Sequence, residues 1–204
     1  MEIYFYRHGQ THCNQLGIVQ GKGVNSSLNE AGKEEARAFF EHYKTVPFDL
    51  LLTSTLDRTI QTATAFEQLG ILTERRSDLD EICWGVYEGK VPDTAMRTAY
   101  IGLLGDWGKG KYNQHIPKGE SANDMQQRLS QFVAYLKTLT VDKVLVCTHG
   151  GCLAFLMAIL QNQPLSAMPQ YKHGNTNLCL FEYDASQDKF ELIKRDDSSH
   201  LPQK

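Results

Sequence analysis

The chain has 204 residues, a formal net charge of −3, and 41% hydrophobic and 22% charged residues. That length suits one α/β domain with a single well-buried core, expected to run over residues 1–204. The slight acidic balance argues against bulk nucleic-acid binding, which needs a clear basic surplus, and the longest apolar run, residues 152–160, is too short to span a bilayer.

Residues 1–6, MEIYFY, are apolar and aromatic, as a buried strand requires. A polar motif begins at once with Arg7, so no leader peptide is expected. The five cysteines (Cys13, Cys83, Cys147, Cys152 and Cys179) are odd in number and lack C-x-x-C spacing, so reduced thiols and a cytoplasmic location are expected. Residues 29–43 read as a helix, with Asn29 as its N-cap and Ala36, Phe39, Phe40 and Tyr43 on one face. A second buried strand, residues 48–54, feeds a helix whose apolar face is Leu56, Ile60, Ala63, Phe66 and Leu69. A short third strand is expected at residues 71–76. Residues 121–139 carry Met125, Leu129, Phe132, Val133 and Leu136 at helical spacing. A buried strand follows at residues 142–148, then a helix from Gly150 to Leu160, then strands near residues 176–183 and 190–194. Alternating strands and helices imply a three-layer α/β sandwich with a largely parallel sheet, helices covering both faces.

In such sheets ligands bind beyond the carboxyl ends of the strands. Three predicted strand ends carry RHG, TSTLDR and THGG, and so bring Arg7, His8, Arg58 and His149 to one edge. Two guanidinium forks suit phosphate oxygens. A neutral imidazole at His8 is a nucleophile near pH 7, His149 can donate to a non-bridging oxygen, and Asn14 is one more neutral donor. Gly9, Gly150 and Gly151 allow close backbone approach. A leaving oxygen also needs a proton donor, and the segment DLDEICWGVYEGK offers Glu81 or Glu88. A metal site built on His8 and His12 is disfavoured. Their spacing of four needs a helix, Gly9 follows a strand, and no H-E-x-x-H run exists.

Five ordered motifs, RHGQTHCN, LDRTIQTA, LDEICWGVYEG, KGES and THGG, make the chain similar to the histidine phosphatase superfamily, in the branch related to phosphoglycerate mutase. The resemblance implies a phosphoglycerate mutase-like sandwich that uses neither metal nor cofactor. It implies that His8 attacks phosphorus, that Glu81 rather than Glu88 protonates the leaving alcohol, and that His149 completes the catalytic set. Arg7, Asn14, Gln20, Gly21, Arg58 and Gly150 would bind phosphate or substrate. Ile18 stands where many relatives carry an arginine. The segment after the acid lacks the mutases' arginine-rich insert and keeps only Arg97, Lys109 and Lys111 as candidate cations. The expected partner is therefore a small phosphomonoester, hydrolysed by a phosphatase, with no nucleic acid and no membrane. A phosphoglycerate mutase and a catalytically idle phospholigand-binding protein are the alternatives. Oligomeric state is left open.

Overall fold

The computed structural model describes residues 1–202. Its strands are β1 (Glu2–Arg7), β2 (Leu50–Thr53), β3 (Leu72–Arg75), β4 (Lys143–Thr148), β5 (Leu178–Asp184) and β6 (Lys189–Asp197). They form one sheet in the order β3-β2-β4-β1-β5-β6. The first four of that order run parallel, and β5 and β6 are added antiparallel. The helices are α1 (His12–Leu16), α2 (Glu30–Tyr43), α3 (Asp57–Glu67), α4 (Thr94–Gly108), α5 (Ala122–Thr138) and α6 (Gly150–Leu160). Among the described residues, no helix is long and apolar enough to cross a membrane.

Side chains alternate across a strand, and the parallel strands use that period to fill two cores. Ile3 and Phe5, Leu50 and Leu52, and Val144 and Val146 join Leu129 and Phe132 of α5 and most of α6 on one face. Tyr6, Leu51, Leu145 and Cys147 meet Phe39 and Tyr43 of α2 and Ala63 and Phe66 of α3 on the other. With both faces covered, these strands read as continuous apolar runs. Helix α6 is apolar nearly all round, which fits its position in the interior of the larger core.

Expected and observed elements agree, with informative differences. Asn29 caps α2 as expected, its side chain accepting from the Gly32 N–H at 2.8 Å. Helix α3 ends at Glu67, so Leu69 lies beyond it and is exposed, contrary to its expected place on the apolar face. The same helix instead buries Arg58, Thr59 and Thr62, because its first turns face the site and not only the core. Helices α1 and α4 were not expected. The five residues of α1 are too few for a period to show, and it is fixed by a capping box between Thr11 and Asn14. In α4 only Leu103 and Trp107 are buried while Ile101 is exposed, so no apolar stripe marks it.

The register sets the site. Arg7 pairs with Thr148 and Thr53 with Cys147, so β1, β2 and β4 end at one level. His8, Ser54 and His149 follow those strand ends directly.

Candidate active site

His8 is 2% exposed, and its Nδ1 lies 2.7 Å from its neighbour's carbonyl, Gly9 O. A carbonyl only accepts, so the ring proton sits on Nδ1 and Nε2 keeps its lone pair. Burial, with Arg7 and Arg58 adding positive charge nearby, pushes the His8 pKa well below the ordinary histidine value. The imidazole is therefore neutral at physiological pH. Gly9 has no room for a side chain, since a Cβ there would lie 2.4 Å from Gly32 O.

Arg7 donates from Nη1 to the His173 carbonyl at 2.8 Å, while its Nε is buried without a hydrogen-bond partner. Gly150 gives the guanidinium its space, because a Cβ there would stand 3.3 Å from Arg7 Nε. Gln20 presents a second unpartnered buried donor, Nε2, its Oε1 being taken by Thr11 at 3.0 Å and by Ser26. Asn14 uses Oδ1 to accept the Thr11 N–H and hydroxyl, both at 3.0 Å. Two buried N–H donors near a neutral imidazole and a guanidinium make a receptor for anionic oxygens.

Arg58 and His149 are bonded to each other and to the surrounding protein. Arg58 is fully buried and donates from Nε to His149 Nδ1 at 3.1 Å, from Nη1 to Val24 O at 2.7 Å and from Nη2 to Gly21 O at 3.4 Å. His149 Nδ1 is thereby the acceptor, so its proton lies on Nε2 and goes to Ser54 Oγ at 2.7 Å. Ser54 also receives the Leu56 N–H at 3.1 Å and can pass its own proton to Thr59 Oγ1 at 2.9 Å, which in turn donates to Leu56 O at 2.8 Å. A directed chain of donors thus runs from Arg58 through both hydroxyls. Both ring nitrogens of His149 are engaged by the protein, and its ring centroid is 5.2 Å from that of His8. Burial, with Arg58 next in effect, holds its pKa well below the ordinary value. Ser54 was not singled out in the sequence. It stands inside TSTLDR, and a hydroxyl directly after a strand that faces two histidine motifs was the available signal.

The two acids differ in their contacts. Glu81 lies against the N-terminus of α6: Oε1 accepts from the Ile82 and Cys152 N–H groups at 3.0 and 2.9 Å, and Oε2 from the Gly151 N–H at 3.0 Å. A Cβ on Gly151 would come within 2.6 Å of Glu81 Oε1. Helix N-termini favour such carboxylates. Glu81 and Arg7 share the lining of a cavity of about 650 Å³. Glu88 instead ties two loops together, accepting from the N–H groups of Trp84 and Gly23, each at 2.8 Å. Gly21 belongs with this tie, because a Cβ there would overlap Glu88 Oε1 at 1.9 Å. Its carbonyl accepts from Arg58 Nη2 at 3.4 Å and from the Val24 N–H at 3.4 Å. Glu88→Ala should lower stability by about 1–3 kcal/mol by orphaning these amides. Urea unfolding checks this, and a midpoint equal to wild type would assign Glu88 another role.

Three further residues complete the surroundings. Asn175 donates from Nδ2 to the His8 carbonyl at 2.9 Å. Arg128 reaches the carbonyls of Asp78 and Asp80 at 2.8 and 2.9 Å while pairing with Glu120 at 2.9 Å, and so holds the acid-bearing segment. Lys22 is half-exposed and pairs with the buried Asp80 at 3.6 Å. Among the described residues no group of three or more His, Cys, Asp or Glu side chains could hold a metal ion. His12 lies exposed on α1, apart from the buried His8.

A family model described as "Histidine phosphatase superfamily (branch 1)" matches residues 3–196. The chain is 28% identical to a protein named "Putative phosphoserine phosphatase 2" of Hydrogenobacter thermophilus, over 78% of this chain and 77% of that one. It is 27% identical to a "Probable phosphoglycerate mutase GpmB" of Erwinia tasmaniensis, over 91% and 86% respectively. The solved structure of a mycobacterial glucosyl-3-phosphoglycerate phosphatase superposes with a TM-score of 0.85 at 25% identity, covering 97% of this chain and 99% of that one.

Proposed function

Because the chain belongs to the histidine phosphatase superfamily, branch 1, we propose that it hydrolyses a small phosphomonoester through a phosphohistidine on His8, without a metal. The observation that carries this reading is the His8 tautomer: Nδ1 is tied to Gly9 O, and Nε2 is left as a lone pair beside two guanidinium groups. In the first step the Nε2 lone pair forms a bond to phosphorus as the bond from phosphorus to the alcohol oxygen breaks. Glu81, which this step requires to be protonated against the pull of the amides it accepts from, gives that proton to the departing oxygen. In the second step water attacks phosphorus, Glu81 takes a proton from it, and the nitrogen–phosphorus bond breaks to release phosphate.

The charge on the phosphoryl oxygens falls to Arg7 Nε and Gln20 Nε2, both buried donors without a hydrogen-bond partner. Asn14 assists from α1, and Gly150 lets Arg7 approach. Arg58 and His149 act together: Arg58 orients the His149 ring through Nδ1 and supplies positive potential near His8. Gly21 keeps the loop that carries Gln20 close to Glu88 and Arg58. The five cysteines are free, which supports a reducing, cytoplasmic setting.

Hydrolysis is favoured over a mutase reaction because the cavity around Glu81 holds few cations. Arg7 and Lys172 line it, whereas Lys111 is paired with Asp106 at 3.0 Å and Arg97 lines a neighbouring pocket. A mutase must hold its phosphorylated ligand while that ligand turns, and a phosphatase must admit water. The test is an assay of 3-phosphoglycerate with and without a bisphosphate primer. Release of phosphate without isomer formation is expected. Isomerisation outpacing release would make the protein a mutase, and binding with neither reaction would make it an idle phospholigand-binding protein. Glu81→Gln should slow alkyl esters about 10²–10⁴-fold and nitrophenyl esters far less. Equal losses on both would remove Glu81 from the proton-donor role.

A further inference from the structure

The cavity that holds Glu81 adjoins a smaller one of about 270 Å³, lined by Val19, Trp84, Tyr87, Pro92, Met96 and Tyr100. Trp84 and Tyr100 line both cavities, and their rings meet edge to face at 5.4 Å and 77°. They form the threshold between the end that holds phosphate and the end that holds whatever the phosphate is attached to. Arg97 is the one charged residue of the smaller lining; it is exposed, and its Nε donates to the Pro92 carbonyl at 3.2 Å.

The chemistry of this lining is selective. Three aromatic rings, a thioether and two aliphatic side chains offer broad apolar surface and few directed polar atoms. A polyhydroxylated or carboxylated chain entering here would give up hydrogen bonds to water and recover few of them, which is costly. A flat apolar ring would gain from burial and from edge or face contacts with the aromatic walls. The Tyr100 phenol pKa is raised by burial and then by the charge of Glu81, so its hydroxyl stays neutral and brings no negative charge to the threshold.

Resting on the phosphatase reading, we infer that the preferred leaving alcohol carries an aromatic ring, seated in the pocket of Trp84, Tyr87, Met96 and Tyr100. The substrate class is then a phosphomonoester of a ring-bearing alcohol, with the phosphate at His8, the ester oxygen near Glu81 and the ring beyond Trp84 and Tyr100. Specificity resides in α4 and in the turn that carries Trp84 and Tyr87, whereas the phosphate end is common to any monoester.

Non-hydrolysable phosphonates separate this inference from the phosphatase reading. Calorimetry on the full chain would compare ethylphosphonate, 2-carboxyethylphosphonate and 2-phenylethylphosphonate. The phenyl compound should bind about tenfold or more tightly than ethylphosphonate, and the carboxylated one no more tightly than ethylphosphonate. Met96→Glu, which puts a charge into the pocket wall, should bring the phenyl-to-ethyl ratio to within about twofold of one. Equal affinities, a preference for the carboxylated compound, or no binding of any of them would each overturn the inference. The matching esters all leave as primary alcohols, so they isolate recognition from leaving-group reactivity. The predicted order of affinities without phosphate release from the esters would overturn the phosphatase reading and leave the pocket inference standing. Release from all three esters at one kcat/KM would do the reverse.

Discussion

His8→Ala lowers the turnover of every phosphomonoester by about 10⁴-fold or more, because no other described side chain combines a free lone pair with the same position. The expectation rests on three features. The tautomer is set by Gly9 O at 2.7 Å, burial and two guanidinium groups keep the ring neutral, and Asn175 holds the His8 carbonyl from the other side. Rapid quench of the wild type with labelled substrate should trap one phosphate per chain, stable in alkali and lost in acid, and the variant should trap none. The alanine leaves β1 intact, so equal near-ultraviolet circular dichroism of the two proteins would exclude misfolding as the cause. A variant that keeps turnover within tenfold of wild type would remove His8 as the nucleophile.

Acid destabilises the fold well before carboxylates titrate. His173 and His200 are buried, with pKa values pulled down to about 4, chiefly by burial. His8 and His149 are likewise held well below the ordinary histidine value, chiefly by burial. The direction follows from proton counting: in the unfolded chain each ring titrates near 6.5, while in the folded chain it stays neutral to lower pH. Below pH 6.5 the unfolded state therefore binds more protons, and stability falls as pH falls until the folded values are reached. At pH 5 each of His173 and His200 costs about 2 kcal/mol. Even two such groups remove a large share of the roughly 5–15 kcal/mol that a domain of this kind has. The other two buried rings act in the same direction. Glu120 and Asp124, whose pKa values are lowered by partners in the fold, extend the loss below about pH 4.5. Urea midpoints should drop steeply from pH 7 to pH 5, and His200→Gln should flatten the slope by up to one proton. A midpoint that does not change over that range would contradict the neutral burial of these histidines.

Much of the fold could be read from the sequence because the central strands are covered on both faces. Continuous runs such as LLLT and KVLVCT have few alternatives, and the capped helices α2 and α5 carry regular apolar spacing. His8, His149 and Arg7 were visible for a related reason, since polar residues directly after a buried strand have nowhere to be but the sheet edge. What stayed hidden depended on contacts between distant segments. Glu81 and Glu88 both stand beside apolar residues, and only the amides that each accepts from, in α6 for one and around Gly23 and Trp84 for the other, place them differently. The engagement of both His149 nitrogens by Arg58 and Ser54 was equally out of reach. Helix α4 escaped because it buries two residues and leaves the rest to solvent or to the pocket, so it follows no stripe.

That contrast between α4 and β1 extends to the amide protons. Strand β1 lies between β4 and β5, and the His8 N–H is itself bonded to Thr148 O at 2.9 Å. Its amides should exchange with deuterium only when the whole molecule opens. Those of α4, held by Leu103 and Trp107 and little else in the core, should exchange through small local openings. Changes in α4 then have little effect on the slow-exchanging centre, and under the proposed mechanism the alcohol a descendant of this chain accepts can drift while His8 stays anchored.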